Sequence, residues 1–309
     1  MSQRGRVVTK QRRQGDRSLR VLTSQQDASV NIVEERLAGF LEARYVRRCD
    51  DYFVCYLSSH TGCNRGCAFC HLTATNQLSF APSTLGDYLD QAQRVFAHYR
   101  ALVAADGAPA KHVHFSFMAR GEALANPHLL DRGDELMVRL GQLARDEGLP
   151  AKFCVSTIMP KTLHRSLVDV FGFTSPTIYY SLYSASDTWR GRWMPGAMPL
   201  DDALRMLVDY QAHSKKIVKI HHALILNEND GWHDAAAIVD RLSRMKLRCE
   251  FNLVRYNPAT LTQGSESTDE CIAAYAAVLR DYGPTKVVAR VGFDVAASCG
   301  MFVDKAVPQ

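Results

Sequence analysis

From about residue 50 onward, short runs rich in β-branched and aromatic residues alternate with longer stretches of helical period. That alternation restricts the chain to repeated βα units around a parallel sheet. Strands are expected near 52–58, 112–118, 152–157, 177–183, 217–226, 248–255 and 286–291, and helices near 84–105, 127–147, 200–212, 232–245 and 267–282. Start signals mark several of the helices, among them Ser83 or Thr84 with Asp87 behind it and Thr268 followed by Asp269. There is no internal repeat and no low-complexity tract. The expected class is α/β, an open or closed βα barrel with its active site at the C-terminal ends of the strands.

The length of 309 residues and the 47% hydrophobic content suffice for one substantial core, so a single catalytic domain is expected over 51–309. Ahead of it, 1–29 reads as a basic flexible leader and 30–50 as a short extension, with one helix over 30–44 that carries Val33, Leu37, Phe40 and Leu41 on one face. Residues 1–20 hold Arg4, Arg6, Lys10, Arg12, Arg13, Arg17 and Arg20 against Asp16 alone, a balance of +6 that leaves −1 for the rest of a chain whose net charge is +5. Such an arm suits sequence-independent contact with phosphate backbones or is a solvated tail. No apolar run reaches the roughly eighteen residues of a membrane span, and the first residues lack the apolar centre of a secretory signal. A soluble cytoplasmic protein is the expectation, with its oligomeric state open.

Nine cysteines are an odd number, and Cys63, Cys67 and Cys70 lie within one short segment, Gly62-Cys63-Asn64-Arg65-Gly66-Cys67-Ala68-Phe69-Cys70. This C-x3-C-x2-C spacing after an expected strand points to a metal site in a reducing compartment rather than to disulfides. Three thiolates on one loop can hold three irons of a cubane cluster and leave the fourth iron open to another ligand. The competing readings are three buried thiols or a zinc site completed by His71 or His60. Cys49, Cys154, Cys249 and Cys271 lie in expected strands, helices or an ordinary loop and read as packing cysteines.

The cysteine spacing resembles that of the radical S-adenosylmethionine (SAM) superfamily, in which SAM chelates the open iron of a 4Fe-4S cluster and its one-electron reduction releases a 5'-deoxyadenosyl radical. Arg120-Gly121-Glu122, at the end of the next expected strand, matches the superfamily's Gly-Glu element, which meets the SAM amino group. A carboxylate there can accept hydrogen bonds from an ammonium, and glycine lets the backbone approach. The resemblance implies a partial (β/α)6-type TIM barrel.

Further segments resemble the RlmN/Cfr-type adenine methyltransferases, which methylate C2 or C8 of adenosine in ribosomal RNA and, for some members, transfer RNA. They are Leu41-Glu42-Ala43, Ser58-Ser59-His60-Thr61-Gly62-Cys63, Gly121-Glu122-Ala123-Leu124 with Asn126, Ser156-Thr157, Ser181-Leu182-Tyr183-Ser184-Ala185, Asn229-Asp230-Gly231, Asn252-Leu253 with Tyr256-Asn257-Pro258, and Ala296-Ala297-Ser298-Cys299-Gly300. In that family a C-terminal cysteine is methylated by one SAM, and its S-methyl group then loses hydrogen to the radical made from a second. The resulting carbon radical adds to an adenine carbon that is too poor a nucleophile for direct attack on SAM. The resemblance assigns the methyl-carrying role to Cys299. It places Gly121, Glu122, Ser156, Ser181, Leu182, Tyr183 and Asn257 around SAM, and Glu42 at a position held in the family by a proton acceptor. It also implies an RNA partner and a one-electron donor such as flavodoxin or ferredoxin.

Three departures bear on function. The family's second catalytic cysteine, seven residues before the first cluster ligand, falls on Tyr56, with Cys55 adjacent; Cys55 turns inward only if a bulge restores its direction. Ser-Leu-His and Gly-Glu-Pro-Leu of the family read Ser181-Leu182-Tyr183 and Gly121-Glu122-Ala123-Leu124 here. About forty residues precede Glu42, where family members carry a helical RNA-gripping domain. Trp189-Arg190-Gly191-Arg192-Trp193 reads either as a nucleotide clamp or as a packed loop. The expected activity is radical SAM methylation of an adenine carbon in RNA. The alternatives are an acceptor that is DNA, a nucleotide or a small metabolite, or a non-catalytic Fe-S nucleic-acid-binding protein.

Overall fold

The computed structural model describes residues 8–14, 17–105 and 107–304. Among these described residues, eleven strands lie side by side in chain order: β1 (Val8–Gln14), β2 (Arg17–Thr23), β3 (Val30–Arg36), β4 (Gly39–Arg47), β5 (Tyr52–Tyr56), β6 (His112–Phe117), β7 (Ala151–Thr157), β8 (Thr177–Tyr180), β9 (Val218–Ala223), β10 (Cys249–Val254) and β11 (Thr285–Val288). Pairing is antiparallel from β1 to β5 and parallel from β5 to β11. The helices are α1 (His71–Ala74), α2 (Leu85–Ala104), α3 (Pro127–Asp146), α4 (Leu167–Phe171), α5 (Asp187–Trp193), α6 (Leu200–Ser214), α7 (Trp232–Arg244) and α8 (Asp269–Arg280). They carry the crossovers that parallel neighbours require. No ladder joins β11 back to β1 among the described residues, so the sheet is open.

The α/β class with a mostly parallel sheet is as expected, and all seven expected strands are present. β8 stops at Tyr180, short of the expected 183, because Tyr183 adopts a φ of 59° that no strand continues through. Local signals place the helix starts. The Thr84 side chain accepts from Asp87 N while the Asp87 carboxylate accepts from Thr84 N at 2.9 Å, a reciprocal capping box that opens α2. Asn126 caps α3 through the backbone N–H groups of His128 and Leu129, with Pro127 at the first position, and Thr268 caps α8.

Alternation along the parallel strands divides inside from outside. Phe53 and Cys55 of β5 and Val113, Phe115 and Phe117 of β6 enter one apolar core with Ala92, Val95 and Phe96 of α2. The intervening Tyr52, Val54 and Tyr56, with His114 and Ser116, line a cavity on the other face.

The N-terminal region differs from the expectation. Residues 30–44 form no helix; they form β3 and most of β4, a hairpin with only Leu37 and Ala38 between paired Arg36 and Gly39. Val30 and Ile32 join the main core, whereas Val33 and Phe40 pack with Val303 in a separate cluster. Because both faces of β3 are covered, polar alternation is lost, and the surviving spacing imitates a helical stripe. Nor is the basic segment a flexible leader where it is described: Lys10, Arg12 and Arg13 lie in β1, which pairs with β2, and Leu19 of β2 is buried. Arg4, Arg6 and Asp16 lie outside the described residues.

Gly39 fixes this hairpin against the loop that follows β5. Its φ is 118°, and a Cβ there would stand 2.6 Å from the carbonyl oxygen of Thr61. Phe40 N donates to that same oxygen at 3.2 Å. Gly39→Ala is expected to lower unfolding stability by about 2 kcal/mol, measured by urea titration, through strain and loss of this contact. An unchanged midpoint would contradict the docking described here.

Candidate active site

Beyond β5 the chain makes an antiparallel bridge from His60 to Pro82 and is tied to the end of β6 and the loop after it. Leu57 N donates to Ser116 O, and Ser59 N and His60 N both donate to Arg120 O. Gly121, at a φ of 86°, sits where the two loops cross; a Cβ there would lie 2.8 Å from His60 N. The crossing brings the cysteine loop and the Gly121-Glu122 turn to one end of the sheet.

Cys63, Cys67 and Cys70 line a single cavity of about 140 Å³ together with Gly121, Glu122, Ser156, Ser181, Tyr183, Asn257 and Cys299. Each of these residues was singled out from sequence, and they come from the segments after β5, β6, β8, β10 and β11 and, for Ser156, from the end of β7 itself. Leu182 is the exception within that set. Its side chain is buried in the main core and lines neither cavity, while its carbonyl accepts from Arg190 Nη1 at 2.8 Å.

The thiols are free, and no three His, Cys, Asp or Glu side chains converge on a single-ion site among the described residues. His71, a possible zinc ligand, places Nε2 2.9 Å from Asn257 O. Three thiols spread around one cavity suit the separate irons of a cubane better than one zinc ion. Phe69 of the same loop stacks on Tyr183 at 4.1 Å between ring centroids, which shields the thiols on one side.

Glu122 is buried, with Oε1 accepting from Leu124 N at 3.1 Å and Oε2 from Ile158 N at 3.0 Å. Burial pushes its carboxyl above the ordinary range, and no Lys or Arg is in ion-pair contact with it among the described residues. An ammonium at this carboxylate would relieve that cost. Asn257 Oδ1 is also buried without a partner, although its Nδ2 donates to Cys299 O at 2.9 Å and to Ser298 Oγ at 3.3 Å. A buried anion and an unmatched acceptor facing one cavity fit a ligand that brings amino donors, as SAM does.

Cys299 arrives from the far end of the chain on a segment that crosses back over the sheet. His71 N donates to Gly300 O, Arg44 Nη2 to Met301 O, and Arg120 Nη1 and Gln77 Nε2 to Val303 O. Ser24 and Gln25 hold Asp294, and Asn31 holds Val295 O. Cys299 stands in the wall between the first cavity and a second, of about 290 Å³, lined by Arg44, Arg48, Tyr56, His114, Cys154, Tyr179, His221, Asn252 and Lys286. Sequence reasoning missed His221, whose Nε2 is 3.4 Å from Cys299 Sγ, and treated Cys154 as packing although it borders this cavity. The only available signal for His221 was its register in the expected strand 217–226.

Two expected catalytic residues lie elsewhere. Glu42 lines neither cavity: Oε1 accepts from Arg120 Nη1 at 2.7 Å and Val303 N at 3.0 Å, and Oε2 from Arg44 Nη2 at 2.6 Å and Asn31 Nδ2 at 2.9 Å. With both oxygens saturated inside the protein, it clamps the C-terminal segment and is not placed to take a substrate proton. Cys55 needed a bulge to face inward. β5 pairs in unbroken register with β4 and β6, so Cys55 points into the apolar core while Tyr56 faces the second cavity. The Trp189 to Trp193 segment is α5, with both indoles and Arg190 buried and the indoles stacked at 5.5 Å; it is packing, not a clamp.

No family model matches the chain. It is 28% identical over 254 residues to the dual-specificity RNA methyltransferase RlmN of Solidesulfovibrio magneticus, covering 81% of this chain and 68% of that one. It is 26% identical over 255 residues to the ribosomal RNA large subunit methyltransferase Cfr of Shouchella clausii, covering 79% and 67%. The chain thus spans about two thirds of the length of the curated relatives it matches. A solved radical SAM methyltransferase from Sphaerobacter thermophilus shares the fold, with a TM-score of 0.74 at 21% identity over 95% of this chain and 80% of that one. The chain is a distant homologue of the RlmN/Cfr-type radical SAM RNA methyltransferases.

The buried clamp has a pH signature. Burial alone would raise the Glu42 carboxyl, but Arg44 and Arg120 hold it below its ordinary value of 4.5. Its contribution to stability is therefore complete above the unfolded value and disappears as pH falls through the lower folded value. Glu42→Gln leaves Arg120 and Arg44 buried without their anion and is expected to cost about 3–5 kcal/mol at neutral pH. Urea unfolding of the variant should also show a shallower loss of stability below about pH 5, and parallel acid profiles would contradict the clamp.

Proposed function

We propose that this distant homologue of the RlmN/Cfr-type enzymes is a radical SAM methyltransferase that methylates an adenine carbon in RNA, by way of a methyl group carried on Cys299. One observation carries the reading: Cys299 shares a cavity with Cys63, Cys67 and Cys70, although more than two hundred residues separate it from them. A thiol beside a cluster site is what a methyl carrier needs, and packing alone does not require the two to meet.

In this reading Cys63, Cys67 and Cys70 hold a 4Fe-4S cluster, while Glu122, Ser156, Ser181, Tyr183 and Asn257 bind SAM. Cluster and SAM together supply reductive cleavage of a sulfonium, and so a carbon radical able to take hydrogen from an S-methyl group. The protein's own part is placement. Glu122 receives the ligand's ammonium, Asn257 receives a further donor while it holds Cys299 by its carbonyl, and the stacked Phe69 and Tyr183 exclude water. The second cavity supplies room for a base beside Cys299, with Tyr56, Tyr179 and Asn252 as stacking and hydrogen-bonding partners. For entry the adenine must leave its stack. The exposed Arg48 and Lys286 border the same cavity without any carboxylate among its lining residues, which suits an RNA backbone at its mouth. Turnover requires a one-electron donor of the flavodoxin or ferredoxin class.

Protein produced with an intact cluster is expected to carry one methyl group on the Cys299 peptide, read by mass spectrometry. Nucleoside digests of RNA from cells with the protein should contain a carbon-methylated adenosine that is missing from cells making Cys299→Ala. An unmodified Cys299 overturns the carrier role, and a new methylated nucleoside in DNA alone overturns the RNA assignment. Cys63→Ser, Cys67→Ser and Cys70→Ser should each lose iron and the 5'-deoxyadenosine formed with dithionite and SAM. Cys55→Ala should retain both, since that side chain lies in the core.

A further inference from the structure

We propose that His221 is the catalytic base that takes the thiol proton of Cys299, so that its sulfur can accept a methyl group from a sulfonium donor in the adjoining cavity. The inference rests on the reading of Cys299 as the methyl carrier and adds the residue that makes the sulfur reactive. His221 Nε2 is 3.4 Å from Cys299 Sγ, and both side chains stand in the wall shared by the two cavities. Strand register decides which of two adjacent histidines can do this. β9 turns His221 inward and His222 outward, where its Nε2 meets Tyr275 Oη at 3.2 Å.

The ring and the thiol are both held for the contact. Tyr179 stands edge-on to the His221 ring at 5.9 Å, and Asn257 Nδ2 fixes the Cys299 carbonyl. With Nε2 as the acceptor, the ring hydrogen sits on Nδ1, which is buried with no partner among the described residues, so no second group there competes for the imidazole or fixes its tautomer. Burial pushes the imidazole pKa down to about 4 and the Cys299 thiol up, which leaves a neutral base beside a neutral thiol at neutral pH. A thiol in that state is a poor nucleophile unless its proton leaves as the new bond forms.

In the transfer, the S–H bond breaks with its proton passing to Nε2, and the freed sulfur electron pair forms the S–CH3 bond. The donor's C–S bond breaks with its pair remaining on the departing thioether. The proton then returns to solvent through the second cavity, whose rim holds the exposed Arg48. The titratable and charged groups around the pair are Arg44, Arg48, Tyr52, Tyr56, His114, Cys154, Tyr179 and Lys286 in the second cavity, the neighbouring His222, and, on the cluster side, Cys70 and Tyr183. Arg48 and Lys286 disfavour a lasting imidazolium, and Arg44 and Arg48 favour negative charge on sulfur.

The test uses holoenzyme produced under methionine limitation, so that Cys299 is a free thiol, and follows iodoacetamide capture of the Cys299 peptide by mass spectrometry from about pH 6 to about pH 9. Wild type should react at a nearly level rate across this range. His221→Gln should react about 100-fold more slowly near neutrality and gain about tenfold per pH unit, because hydroxide then does the work of the missing base. His221→Asn, with the same expected profile, guards against a folding defect in one variant, checked by an unchanged unfolding midpoint. A variant profile that coincides with or merely parallels that of wild type overturns the base assignment. Methyl-labelled SAM added to the same wild-type protein tests the carrier reading separately: a label absent from Cys299 sinks that reading, whatever the alkylation profile.

Discussion

The buried carboxylate of Glu42 joins three parts of the molecule that have no sequence proximity. It accepts from Arg120, at the head of the Gly121-Glu122 turn, from Arg44 and Asn31 in the N-terminal strands, and from the backbone of Val303 in the C-terminal segment. Arg120 and Arg44 extend the grip to the carbonyls of Val303 and Met301. A charge cluster of this kind gains little net stability against an apolar alternative, but loss of one member leaves the others desolvated and unpaired. Its value is geometric: it specifies where a segment with no regular structure must lie, and that segment carries Cys299.

The antiparallel strands β1 to β4 acquire a purpose from the same interactions. They continue the parallel sheet on the β5 side and present Ser24, Asn31 and Arg44 to the returning C-terminal chain. The site is thus built from both ends. Strand-end loops supply the three cysteines and the candidate ligand-binding residues, and the strap supplies the thiol that faces both cavities. Its two cavities differ in physical terms, one lined by the loop thiols with Glu122, Asn257 and apolar side chains, the other by aromatic, amide and cationic groups.

Much of this was legible in the sequence because it rests on local signals. β5 to β11 and the five longer helices of the sheet's crossovers follow from period and capping, as at Thr84-Asp87 and Asn126-Pro127. The cysteine spacing, Gly121-Glu122 and the motif around Cys299 are short enough to be read directly. Less legible were residues 30–44, whose strands are covered on both faces and so lack alternation, and Glu42, whose motif context suggests chemistry while its neighbours make it a clamp. Cys55 shows the same limit, since a shift of one residue along β5 separates the core from the cavity.

By itself, then, the sequence determined the order of βα units and the short motifs of the cysteine loop, the Gly121-Glu122 turn and the Cys299 segment, because propensity, spacing and caps act over a few residues. Only the tertiary structure decided which side chains share a cavity. It set Cys299 against His221, placed Glu42 and Cys55 outside both cavities, and folded the described part of the basic segment into strands. Those outcomes depend on strand register and on ion pairs between residues far apart in the chain, and neither leaves a periodic trace in sequence.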